Sequence, residues 1–209
     1  PLNLSVMEMK QLDFTETFKD AITIGMKNAP SVIAAVALFL VTIWIPYINI
    51  GTFIAITLLP TQLAKGEVIN PLGIFDSKYR RYMGEFPITM GLMVIPTSIA
   101  FLFMFVPGIV LSLAWTLAYY FLIEKGKNPI EAIRASNDAT YGSKWTMFAV
   151  ALVFGIAAVI VLQIFNVICG MINVGFITFI VMFALIVIIM SVGMAINASY
   201  WKQLKDNVA

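Results

Sequence analysis

Residues 125 to 145, KGKNPIEAIRASNDATYGSKW, set the terms on which the rest of the chain is read. Residues 65 to 86, KGEVINPLGIFDSKYRRYMGEF, repeat the outline, with Asn70-Pro71 where the later stretch has Asn128-Pro129. In both, thirteen positions separate the proline from a glycine, Gly84 or Gly142. A weaker third copy, residues 12 to 27, LDFTETFKDAITIGMK, aligns Gly25 and Lys27 with Gly142 and Lys144. The three glycines stand 59 and 58 residues apart, and each precedes a long apolar run. A fixed period of this size marks an architectural unit, here one short polar helix followed by one membrane hairpin. The reading predicts an all-α integral membrane fold with six transmembrane helices arranged as three hairpins. Each hairpin follows a short amphipathic helix, in repeat units of about 58 residues at 12–64, 65–123 and 124–200, with a tail at 201–209.

Composition bounds the class before any motif does. Of the 209 residues, 61% are hydrophobic and 11% charged, against about 25% charged in soluble chains. Apolar runs near the ~20 residues that cross a bilayer recur along the chain. A net charge of +2 gives no footprint for nucleic acid. The single cysteine, Cys169, lies in an apolar run, where a buried inert thiol is expected. Histidine is absent, which removes the commonest proton shuttle and the commonest metal ligand. No cofactor or metal is expected.

Taken in order, residues 12–26 read as an amphipathic helix, with Phe14, Phe18, Ala21, Ile22 and Gly25 on one face. Asp13 and Glu16 have the spacing of a capping box. The run from Ser31 to Leu59 is broken by Pro46-Tyr47-Ile48-Asn49 and reads as two short helices, about 31–45 and 50–64. Fifteen residues rise only ~22 Å against a hydrocarbon core of ~30 Å, so this hairpin is a short one, read as spanning. Residues 71–86 read as the second polar helix, where Lys78, Arg80 and Arg81 beside tyrosines are candidate lipid-headgroup contacts. A hairpin follows, about 86–104 and 107–123, bending at Val106-Pro107-Gly108. The third polar helix runs from Pro129 to about Lys144, with Ala132, Ile133, Ser136, Thr140 and Ser143 on a face suited to close packing. The last hairpin, about 145–168 and 174–200, turns at residues 169–173, and its Ile172-Asn173-Val174-Gly175 echoes Ile48-Asn49-Ile50-Gly51.

All 13 Lys and Arg residues, and all 11 acids, lie outside the apolar runs and away from the hairpin tips. By the positive-inside rule both termini and all three polar helices are expected in the cytoplasm. No ionisable group lies within a span, so a buried carboxylate relay has no components. Gln163 and Asn166, one turn apart in the fifth span, form the candidate polar interior; they read as interhelical hydrogen-bond partners or as the lining of a path. Gly25, Gly84 and Gly142 are candidate joints between polar helix and span, where glycine permits a sharp redirection or a close backbone contact.

The run PGIVLSLAWTLAYYFLIEKGKNPIEAIRASNDATYGSKWTMF resembles bacterial multi-pass proteins related to the membrane domain of glycerophosphodiester phosphodiesterases. The positions that carry the likeness are Pro107, Gly108, Ala132, Ser136, Gly142, Lys144 and Trp145, and it is best over about residues 105–150. It implies a helical fold in a bacterial inner membrane. In those enzymes a separate soluble barrel performs hydrolysis, so the resemblance brings no catalytic activity here. The expected function is a non-enzymatic accessory or scaffold that offers cytoplasmic amphipathic helices to a membrane or cytoplasmic protein, to lipid, or to a second copy of itself. The alternative is a transporter or exporter component for a small or apolar substrate.

Overall fold

The fold is seen in a computed structural model that describes residues 9–172 and 175–208. Every regular element among them is helical: α1 Phe14–Thr42, α2 Ile48–Thr57, α3 Leu59–Leu63, a 3-10 helix Pro71–Phe75, α4 Ser77–Arg80, α5 Glu85–Phe103, α6 Phe105–Ala114, α7 Ala118–Glu124, α8 Pro129–Ala139, α9 Lys144–Ile172 and α10 Gly175–Leu204. Five helices are long and apolar enough to cross a membrane: α1, α5, the broken helix α6–α7, α9 and α10. The chain is a multi-pass helical membrane protein in its architecture.

The first repeat unit differs from its sequence reading. No break separates an amphipathic helix from a span, because α1 runs unbroken for 29 residues through Gly25 and Pro30. Proline at position 30 forfeits one backbone bond, yet α1 continues because α10 packs along it. The return helix α2 has only 10 residues, a rise of ~15 Å. Its start also touches a group expected on the other side of the membrane. The Arg80 guanidinium lies 5.7 Å from the centre of the Tyr47 ring, and a Cβ at Gly51 would stand 2.8 Å from Arg80 Cγ. A hydrocarbon core of ~30 Å cannot lie between groups in contact, so the first hairpin does not carry its turn to the side opposite Arg80, and α1, although long enough, is not read as a crossing.

Three other boundaries move. Residues 71–86 are not one helix but the 3-10 turn, the single turn α4 and a further turn before α5. The second hairpin bends at Met104, in extended conformation, and Pro107 and Gly108 lie inside α6. Its returning arm is interrupted between α6 and α7. The last hairpin has its two long helices, but α9 continues through residues 169–172, which were expected as its turn; Asn173 and Val174 lie outside the described residues.

The glycines spaced as joints take three different roles. Gly25 is buried within α1, and a Cβ there would stand 2.8 Å from Val192 Cα in α10. Gly142, with φ of 80°, reverses the chain between α8 and α9. Gly84 has φ of −85° and open space where a Cβ would project, so glycine is not required there. Replacement should therefore be graded rather than uniform. Gly84→Ala should leave the thermal midpoint unchanged, and Gly142→Ala should cost about 1–2 kcal/mol through αL strain. Gly25→Val should cost most, because backbone must separate from backbone. Equal losses in a detergent melting series would contradict this ordering.

Candidate functional site

Polar side chains gather where the two ends of the described chain meet. Asp13 starts α1 by accepting from the Glu16 N–H at 2.6 Å. The reciprocal half of a capping box is absent, because the Asp13 N–H donates to Gln203 Oε1 of α10 at 2.8 Å. Gln203 Nε2 donates to the Thr17 and Ser199 hydroxyls at 3.2 and 3.0 Å. Ser199 donates to Asp20 at 2.9 Å, and Lys202 pairs with Asp20 and Glu16 at 3.1 and 3.3 Å. Farther along, the Ser191 hydroxyl donates to the Gly25 carbonyl at 2.8 Å. Asn207 then ties the tail to Lys10 and to the end of α8.

A second buried group closes the break between α6 and α7. The Ser136 hydroxyl accepts from the Leu117 N–H at 3.1 Å and donates to the Ala114 carbonyl at 2.7 Å. Those are backbone groups that a continuous helix would have paired with each other's neighbours, and a broken helix in an apolar setting survives where a side chain re-satisfies them. Ser136 is placed by α8, whose start carries a complete capping box between Asn128 and Glu131. The packing face read from the sequence is present, with Ala132, Ser136, Thr140 and Ser143 all buried. Ser143 accepts from the Leu12 N–H at 3.0 Å, which joins this layer to the first. Beneath α3, α7 and α10, Leu59, Leu63, Phe121, Trp201 and Leu204 supply the apolar part of this polar base.

At the edge of the base a cleft of about 320 Å³ opens between the ends of α3, α7 and α10. It is lined by Thr61, Ala64, Lys65, Glu124, Lys125, Trp201 and Lys205. The Thr61 hydroxyl donates to Glu124 Oε1 at 3.0 Å. Sequence reasoning did not single out these lysines. A local signal exists: Lys65-Gly66 and Lys125-Gly126 each end a helix with a glycine at positive φ, 79° and 63°.

Of the residues singled out, Gln163 and Asn166 are not interior. Both are exposed on α9, a helix with 6% of its apolar window buried. Lys78 pairs with Asp76 at 3.4 Å on the surface. The Lys78 backbone N–H holds the Asp76 carboxyl below the usual carboxylate range, against an opposing effect of burial. Arg80 is turned inward to the Phe75 carbonyl at 3.2 Å and to Tyr47, so it is not a free headgroup contact. Arg81 is exposed. Burial pushes the neighbouring Tyr79 hydroxyl above its ordinary pKa, and Gln62 Nε2 donates to it at 2.6 Å. Cys169 is buried, as read. Glu131 caps α8.

Compared with known protein families, curated proteins and solved structures, the chain matches none. The site's own chemistry carries the reading. Ser136→Ala would leave the buried Leu117 N–H unpaired and the Ala114 carbonyl with only its 3.4 Å bond from the Thr140 hydroxyl, and should cost about 1–3 kcal/mol. Asp138→Ala, at an exposed position two residues on, should cost less than about 0.5 kcal/mol. Denaturation in detergent micelles checks the pair, and equal midpoints would remove Ser136 from its capping role.

Proposed function

We propose that this chain is a non-enzymatic accessory or scaffold protein of the bacterial inner membrane, with both termini cytoplasmic and its polar base as the working surface. The observation that carries the reading is the division of labour within the fold. Hydrogen-bonded, charged and closely packed groups concentrate in the base, while α5, α6 and α9 present apolar side chains outward. Lipid contact suits such helices, since hydrocarbon neither rewards nor penalises an exposed leucine. Exposed Lys19, Arg134 and Asp138 give the base a charged outer face for a protein partner. The sequence resemblance to the membrane domain of glycerophosphodiester phosphodiesterases points the same way but is not needed for this reading. A transporter requires a polar path. Gln163 and Asn166, its best candidates, face away from the helices around them, and the cavity between α5 and α6 is lined mainly by apolar and hydroxyl side chains.

Two measurements bear on this proposal. In a Cys169→Ala background, single cysteines at Met104 and Met171 should react with an impermeant thiol reagent from outside the cell. Cysteines at Arg81, Lys127 and Tyr47 should react only after the membrane is opened. Labelling of Lys127→Cys in intact cells would reverse the orientation. A photocrosslinking residue at Lys19, Arg134 or Asp138 should give one recurring protein adduct in cells, and the same residue at Leu152 or Ile156 should give lipid adducts. Protein adducts confined to the span positions would move the working surface away from the base.

A further inference from the structure

We infer that the cleft between the ends of α3, α7 and α10 binds a phosphate-bearing anion. Lys65, Lys125 and Lys205 come from three distant parts of the chain and line one cavity of about 320 Å³. At each of these helix ends one terminal carbonyl is already paired without its lysine. The Leu63, Phe121 and Leu204 carbonyls at these helix ends accept from the N–H groups of Gly66, Lys127 and Asn207. The ion pairs among the described residues involve Lys78 and Lys202 instead. The one carboxylate in the cleft, Glu124, is held by the Thr61 hydroxyl. Three lysines and one glutamate among the lining residues give the cleft a formal charge of +2.

One side of the cleft is aromatic and fixed. Trp201 is 5% exposed, and its ring meets Tyr120 and Phe121 edge-on at 5.7 and 5.0 Å. A rigid aromatic wall excludes water from one side of the cleft and so raises the effect of each charge. Ammonium groups act on phosphate as point charges and need no fixed geometry to do so. The ligand chemistry is therefore a phosphate or phosphate ester. It arrives either as an anionic lipid headgroup or as a soluble phosphate compound. The inference stands on the cleft and does not depend on the accessory role.

The test uses the full chain in nanodiscs. One arm measures retention of phosphatidylglycerol against phosphatidylcholine by native mass spectrometry. The other titrates inorganic pyrophosphate into phosphatidylcholine nanodiscs by calorimetry. The wild-type chain should bind at least one probe. The variant K65Q/K125Q/K205Q should bind that probe about a hundredfold more weakly, each lysine near a surface contributing several-fold. The variant K65Q/K125Q, limited to two exposed side chains, should lose more than about tenfold. A control, K10Q/K144Q, removes the same charge as K65Q/K125Q at residues outside the cleft and should stay within about twofold of wild type. Phosphatidylglycerol retention alone assigns a lipid headgroup, and a pyrophosphate response alone assigns a soluble ligand; either supports the site. No binding of either probe, or equal losses in the cleft variant and the control, would overturn it.

Discussion

Everything in this fold hangs on the antiparallel contact between its first and last long helices. At Gly25 the backbones of α1 and α10 come so close that no side chain fits between them. The Ser191 hydroxyl bonds across that contact to the Gly25 carbonyl. From there toward the termini the seam changes character, becoming a run of hydroxyls, one amide and charged groups. Such a seam has a fixed register, because Gln203 can satisfy the Asp13 N–H and the Thr17 hydroxyl in only one alignment. The apolar part supplies contact area and the polar part supplies uniqueness. Buried polar networks have this effect when every member is satisfied.

The same contrast explains why packing is dense in the base and sparse along the spans. Within a bilayer, apolar side chains lose nothing by facing outward, so α9 can stand with little of its surface covered by protein. Backbone groups obey the opposite rule, since an unpaired N–H or carbonyl is costly wherever water is absent. The α6–α7 interruption is therefore where protein must cover protein, and α8 is the element that does it. A short, polar, surface-capped helix thus has a structural duty within the membrane protein, and its outward face is left over for other work.

Sequence pattern revealed the helical membrane class, the last hairpin, the start of α8 and the packing face of α8, because each is written in local composition. What it hid depends on distant partners. Nothing near residue 115 signals a break, since the compensating hydroxyl is at Ser136. The unbroken α1 was unreadable for the same reason: α10 takes up one face of its polar first half, at Thr17, Asp20 and Gly25. The equal spacing of Gly25, Gly84 and Gly142 was misleading because one residue type serves a close approach, a left-handed turn and an unconstrained position. Gln163 and Asn166 looked interior because hydropathy says which residues meet the membrane but not which way they point. The lysine cleft was partly legible in its paired Lys-Gly turns. Lys205, the third member, became visible only once α10 was folded back against α3 and α7.

The α1–α10 seam also sets a schedule for biogenesis. The groups that pair across it are separated by 166 residues at Gly25 and Ser191 and by 190 at Asp13 and Gln203. At ribosomal rates of about 5–20 residues per second, the first helix waits roughly ten to forty seconds for the last. During that interval a proline-bearing helix stands with its glycine-lined face uncovered, and Asp13, Thr17 and Asp20 have no α10 groups to meet. The nascent chain is therefore expected to be held at the insertion machinery, or transiently covered by another membrane helix, until α10 emerges. A helix made much later is the one that completes α1.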